Sequence, residues 1–213
     1  MNTIIEERKE TNGFFSTPFY YAFRAMFIPI TRFLIWAKIT PNMVTGFSLI
    51  LGMIMGIYFA LDILGLGIIF GLAMAFSDII DGQLAKSTGF TTKFGAILDS
   101  TVDRYNDFFI YAGFAARYYA LGRPRWMMLC ALAFLGSVMI SYVRARAEAG
   151  GFECKVGKLQ RPERLSLIGI GALISYFGFD IGIDAVVLFL ATATHVTALY
   201  RLRYVFNQTQ KSK

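Results

Sequence analysis

The sequence predicts an all-α integral membrane protein: six transmembrane helices preceded by an N-terminal amphipathic helix lying in the membrane interface. Three observations predict it. Of the 213 residues, 56% are hydrophobic and 16% charged, with a mean hydropathy of +0.53, whereas a soluble domain is about half apolar and a quarter charged. Six apolar segments approach the roughly 20 residues that a helix needs to cross a bilayer. Basic residues collect on one side of those segments, as they do on cytoplasmic loops.

Residues 1–13 form a polar tail carrying Glu6, Glu7, Arg8, Lys9 and Glu10, with no short apolar run behind it of the kind a cleaved signal peptide has. Residues 14–39 are aromatic-rich but interrupted by Pro18, Arg24, Pro29, Arg32 and Lys38, a mixture that suits a helix lying in the interface better than one that spans. At Thr40-Pro41-Asn42 a helix start is expected, with Thr40 or Asn42 as cap and Pro41 in the first turn. A membrane domain at 40–206 then holds spans at about 42–62, 65–86, 93–119, 125–147, 162–178 and 184–204, and 207–213 are a tail expected to fray. Lys86, Lys93, Arg144, Arg146, Lys155, Arg161 and Arg201 fall on the side of the N-terminal cations, against Arg117, Arg123 and Arg125 on the other. Both termini are therefore expected in the cytoplasm.

The net charge of +7 is accounted for by this bias. No basic stripe interleaved with aromatics lies outside the apolar segments, so nucleic acid is not an expected partner. Cys130 and Cys154 have no metal or redox spacing, and no disulfide is implied between them. The single histidine, His195, reads as a packed polar residue of the last span.

Five of the 14 acidic residues fall close together: Asp78 and Asp81 at the end of the second span, Asp99, Asp103 and Asp107 at the start of the third. Spacings of three and four put each set on one helix face, and a short loop lets the two faces meet. Carboxylates crowded near a bilayer repel unless they are protonated, paired or bound to cations. All-oxygen ligands select Mg²⁺, Mn²⁺ or Ca²⁺ over zinc or copper. The acids alone fit an enzyme or an intramembrane ion pathway equally well.

The residues between them separate the two. Ser77 to Arg104, SDIIDGQLAKSTGFTTKFGAILDSTVDR, resembles the signature of the CDP-alcohol phosphotransferase family, D-x-x-D-G-x-x-A-R-x8-G-x3-D-x3-D. Asp78, Asp81, Gly82, Ala85, Gly95, Asp99 and Asp103 stand in register, and Lys86 replaces the family's usual Arg, keeping the charge without the bidentate fork. The resemblance implies a transfer from a CDP-lipid such as CDP-diacylglycerol to a phosphorylated alcohol, releasing CMP. It implies two divalent ions (Mg²⁺ or Mn²⁺) on Asp78, Asp81, Asp99 and Asp103, with Asp103 also the general base. Gly82, Ala85, Lys86 and Gly95 would receive the CDP-lipid, although small residues also serve tight helix packing. Asn42 and Thr45 resemble the family's P-N-x-x-T element and read as nucleotide contacts or as caps. Asp107, outside the signature, reads as a partner of Arg104. The family also makes a homodimer conceivable, with no dimer face identifiable in the sequence.

A second stretch concerns the acceptor. Arg144 and Arg146 end the fourth span, Arg161 and Arg164 open the fifth, and Arg201 lies near the end of the last. Arginines at facing helix ends can converge on one phosphate. S-Y-x-R-A-R-A-E followed by R-P-E-R is similar to the phosphatidylinositol-phosphate synthase branch, which uses inositol 1-phosphate; glycerol 3-phosphate or another alcohol is the alternative acceptor. An intramembrane prenyltransferase and a cation carrier are the readings from other classes.

Overall fold

The structure, a computed structural model, describes residues 27–211. These form seven helices: α1 (Ile28–Trp36), α2 (Pro41–Ala60), α3 (Leu64–Thr88), α4 (Lys93–Ala120), α5 (Pro124–Ala149), α6 (Arg161–Tyr176) and α7 (Ile181–Lys211). Their ends follow local chemistry. Thr40 caps α2 by accepting from Met43 N, with Pro41 as first helical residue, so Asn42 is not the cap. Thr92 caps α4 by accepting from Gly95 N at 2.9 Å. Gly89, left-handed at φ +71°, ends α3 and turns the chain toward α4.

Helices α2 to α6 coincide with the first five expected segments to within a few residues, and α7 overruns the sixth at its C-terminus. Four of them, α2, α3, α5 and α7, are long and apolar enough to cross a membrane. Helix α4 has the length, but its charged residues dilute its apolarity. Helix α6 has 16 residues, about 24 Å at 1.5 Å per residue, short of the roughly 30 Å of hydrocarbon. Residues 14–26 of the expected interfacial segment lie outside the described residues; the remainder contains α1, which packs on α3 and exposes Phe33 and Trp36. One expectation is corrected at the C-terminus. Helix α7 continues through 207–211 rather than ending in a frayed tail, and Gln208 Nε2 donates to Glu153 O at 3.1 Å, fastening it to the α5–α6 loop.

Helix α2 packs against α3 and α4, α5 against α4 and α7, and α6 against α7 and α3. A close backbone approach joins α2 and α4. A Cβ on Gly113 would lie 2.5 Å from Gly56 O, and one on Gly56 would lie 2.6 Å from Phe109 O. Backbones meet there as small residues allow in membrane bundles. Phe59 and Phe114 fill the space beyond, with ring centroids 4.6 Å apart, alongside Met74, Ile110 and Tyr118.

The bundle end that carries Asp62, Leu121 and Asp180 is held by ion pairs. Arg117, 3% exposed, donates through Nε to Asp62 Oδ1 at 2.5 Å and through Nη2 to Asp180 Oδ1 at 3.2 Å. Arg123 Nη2 donates to Asp184 Oδ2 at 2.6 Å, and Tyr118 Oη donates to Asp184 Oδ1 at 2.7 Å. These contacts join the α2–α3 turn, the end of α4, the start of α5 and the α6–α7 turn. The opposite end carries Asp78, Asp81, Asp99 and Asp103.

Candidate active site

The last turns of α3 and the first turns of α4 flank α2, on which both helices pack, while α6 packs on α3. Asp81 is buried, and Thr45 Oγ1, one helix away, donates to Asp81 Oδ2 at 2.7 Å. Of the two roles read for Thr45, capping is thus excluded: its hydroxyl faces the carboxylate, and the cap is Thr40. Asn42 Oδ1 lies 3.1 Å from the position of a Gly95 Cβ, so it faces the start of α4.

Asp78 and Asp103 are joined by a cation from a third helix. Arg161 Nη1, at the start of α6, donates to Asp78 Oδ2 and lies 2.7 Å from Asp103 Oδ1. Asp99 lies within electrostatic range of Asp78, Arg161 and Arg104, and Asp81 within range of Asp99 and Asp78. Arg104 Nη1 donates to Ser100 O at 2.7 Å and lies 3.5 Å from Asp103 Oδ2. The four carboxylates are thus neighbours. Among the described residues, however, no three acidic, histidine or cysteine side chains are gathered as a ready ligand set, and Arg161 stands between Asp78 and Asp103. The donor set is all carboxylate oxygen, and a positive group already bridges two of its members. That chemistry fits a hard divalent cation.

Asp107 is buried and pairs with Arg164 Nη2 at 3.1 Å, with Arg161 Nε at 3.7 Å. Its partners come from α6, which corrects the pairing with Arg104 expected from sequence spacing. The arginines reach one cavity of about 370 Å³, whose lining includes Asp103, Arg144, Arg161, Arg164 and Arg201. Arg201, buried, donates to Val156 O at 2.7 Å and Ile140 O at 2.8 Å. Arg144 donates to Glu148 Oε1 at 2.8 Å. Arg146 does not line this cavity and is exposed; two residues beyond Arg144 on a helix, it is turned some 200° away.

An apolar cavity of about 790 Å³ lies alongside, lined by Ile97, Tyr105, Phe108, Phe134 and Val138, and both cavities share Ser100, Arg104 and Ala145. The sequence does not single out Ser100 and offers Arg104 only as a partner of Asp107, although their spacing of four beside Asp103 places both on one face. The two signature glycines differ. A Cβ on Gly82 would meet no atom of the described residues within 4 Å, whereas one on Gly95 would lie 3.0 Å from Thr92 Oγ1. Gly82, exposed, packs against none of the described residues. Ala85 is half-buried and Lys86 exposed on the same helix end.

A polar cavity joining carboxylates to arginines, beside an apolar one on a helical bundle, is the equipment of an enzyme that works on a phosphorylated substrate at a membrane. The chain belongs to the CDP-alcohol phosphatidyltransferase family, whose model matches residues 38–199. It is similar to the phosphatidylinositol phosphate synthase of Corynebacterium glutamicum, 36% identical over 82% of this chain and 81% of that protein. It is also similar to the archaetidylinositol phosphate synthase of Methanothermobacter thermautotrophicus, 38% identical over 64% of this chain and 67% of that protein. The crystal structure of the Mycobacterium tuberculosis phosphatidylinositol phosphate synthase with CDP-DAG bound superposes with a TM-score of 0.78 at 30% identity, covering 84% of this chain and 92% of that one. The same enzyme in complex with manganese and citrate gives 0.77 at 31% identity, covering 84% and 88%.

Proposed function

We propose that this protein transfers the phosphatidyl group of CDP-diacylglycerol to a hydroxyl of inositol 1-phosphate, releasing CMP, as a step of phospholipid biosynthesis. The observation that carries the reading is the meeting of Asp103 with Arg144, Arg161, Arg164 and Arg201 around one cavity. A phosphate held by arginines there brings the rest of the acceptor to the carboxylate. The acceptor's hydroxyl oxygen attacks the phosphorus that bears the diacylglycerol, and its proton passes to Asp103. The bond from that phosphorus to the bridging oxygen breaks, and CMP departs with that oxygen.

Asp78, Asp81, Asp99 and Asp103 would hold two divalent ions, Mg²⁺ or Mn²⁺, which when bound neutralise the diphosphate and make CMP a better leaving group. Thr45 fixes the carboxylate of Asp81, and the open face at Gly82 admits the nucleotide to the helix, with Asn42, Ala85, Lys86 and Gly95 around it. The apolar cavity beside Ser100 and Arg104 supports a lipid substrate. In this reading α4 and α6 also cross, giving six spans whose charged residues face one another. Both termini and the site lie in the cytoplasm, residues 14–39 lie in the interface, and a homodimer is compatible.

The test is CMP release from CDP-diacylglycerol and Mg²⁺ by the purified chain, with inositol 1-phosphate, free inositol and glycerol 3-phosphate in parallel. Turnover is expected with inositol 1-phosphate, and Asp103→Asn is expected to reduce it by about 10²–10⁴-fold. Turnover with glycerol 3-phosphate in its place would transfer the assignment to that acceptor.

A further inference from the structure

Arg161 belongs to two neighbourhoods at once. Its Nη1 joins Asp78 Oδ2 and Asp103 Oδ1, and the same side chain lines the cavity shared with Arg144, Arg164 and Arg201. On the carboxylates the guanidinium is only partly satisfied. Among the described residues, its buried Nε and Nη2 find no hydrogen-bond partner, and the nearest carboxylate to Nε, Asp107 Oδ1, is 3.7 Å away. Buried donors left unmade are costly, so charge rather than fit holds Arg161 there. A phosphate in the cavity offers a second oxygen to the unused edge of the fork, the bidentate arrangement guanidinium favours.

The other cavity arginines are anchored differently. Arg164 is held by Asp107 and by Leu159 O, 3.4 Å from its Nη1, and Arg201 by two backbone carbonyls. Arg161 alone among them bridges two carboxylates proposed as ligands of a divalent cation. Guanidinium and cation compete for the same lone pairs, and like charges a few ångströms apart repel strongly in a partly buried site.

We propose that Arg161 exchanges between these two neighbourhoods: a divalent cation on Asp78 and Asp103 releases its guanidinium to the cavity, where it completes the site for the acceptor's phosphate. The acceptor then binds productively only after the cation, which enforces an order on the two halves of the reaction. This rests on the function proposed above, from which it takes the cation's place and the phosphorylated acceptor.

Binding measured on the full chain in nanodiscs tests it, with Mn²⁺ followed by electron paramagnetic resonance and inositol 1-phosphate by calorimetry. Coupling between two ligands is reciprocal. In the wild type each is expected to tighten the other by about tenfold, inside the usual range of roughly 5–150-fold. Arg161→Gln is expected to bind Mn²⁺ alone about tenfold more tightly than the wild type and to lose the coupling. Asp78→Asn, which weakens the hold on Arg161 without touching the arginine, is expected to strengthen metal-free binding of inositol 1-phosphate. Equal or weaker Mn²⁺ binding by Arg161→Gln, coupling that survives in that variant, or no coupling in the wild type would each overturn the exchange. Any of these alongside inositol-phosphate-dependent CMP release sinks the exchange alone. Absence of both CMP release and acceptor binding in the presence of Mn²⁺ sinks the underlying function too.

Discussion

Thr45 shows how one hydroxyl serves a site made elsewhere. Its Oγ1 lies 2.7 Å from Asp81 Oδ2 and 3.1 Å from Pro41 O, and a hydroxyl has one proton to give; the shorter contact, to the carboxyl oxygen, takes it. The carboxylate is thereby aimed from a neighbouring helix. Partners of metal-binding side chains typically matter by about 10–100-fold in affinity. Thr45→Val keeps the shape and removes the donor, so the Mg²⁺ concentration for half-maximal CMP release should rise within that range, with kcat at saturating Mg²⁺ little changed. An unchanged Mg²⁺ requirement would detach Thr45 from the site. The sequence placed Asp78, Asp81, Asp99 and Asp103 because helical spacing alone sets which residues share a face. Spacing fails for Asp107, whose partner Arg164 arrives from α6 and outcompetes Arg104, its neighbour in sequence. It likewise cannot show that Arg161 reaches Asp78, since nothing local relates residues on separate helices.

At the scale of the helix, glycine divides into two physical roles that the sequence leaves undistinguished. Gly113 sits where α4 touches the α2 backbone, and a methyl there would stand 2.5 Å from Gly56 O. Gly82, toward the exposed end of α3, has no atom of the described residues within 4 Å of such a methyl. Gly113→Ala should force the helices apart, at about 1–3 kcal/mol for overpacking, and lower the melting temperature in detergent. Gly82→Ala should melt at or above the wild-type temperature, because alanine is about 1 kcal/mol better than glycine inside a helix, yet raise KM for CDP-diacylglycerol. The opposite pattern, a fragile Gly82→Ala with wild-type KM, would return Gly82 to packing. The start of α2 was legible because caps are local: Thr40 and Pro41 mark it in the sequence, and Thr92 and Gly89 are signals of the same local kind that the structure adds. The continuation of α7 past residue 206 was not, since it depends on the long-range contact of Gln208 with Glu153.

For the whole molecule the open quantity is how many helices cross, and the turns answer it. Four helices qualify by length and composition; α4 and α6 do not, because α4 carries the site's charges and α6 is short. Yet buried charge on α4 is paired: Asp107 with Arg164, and Arg117 with Asp62 and Asp180. Paired and inward-facing charge is what a crossing helix tolerates. If all of α2 to α7 cross, successive turns must alternate sides. Single cysteines at exposed Leu61, Phe90, Leu121, Lys155 and Phe177 should then label in two sets. An impermeant maleimide should reach Leu61→Cys, Leu121→Cys and Phe177→Cys in right-side-out vesicles, and Phe90→Cys and Lys155→Cys only in inverted ones. The native cysteines give little background: Cys130 is buried in α5, and burial pushes the Cys154 thiol above its ordinary value, disfavouring the reactive thiolate. Should Phe90→Cys and Leu121→Cys label from the same side, α4 does not cross. The carboxylates of Asp99 and Asp103 would then belong to a helix lying on the bilayer, and the acceptor cavity would open along the surface rather than into the bundle.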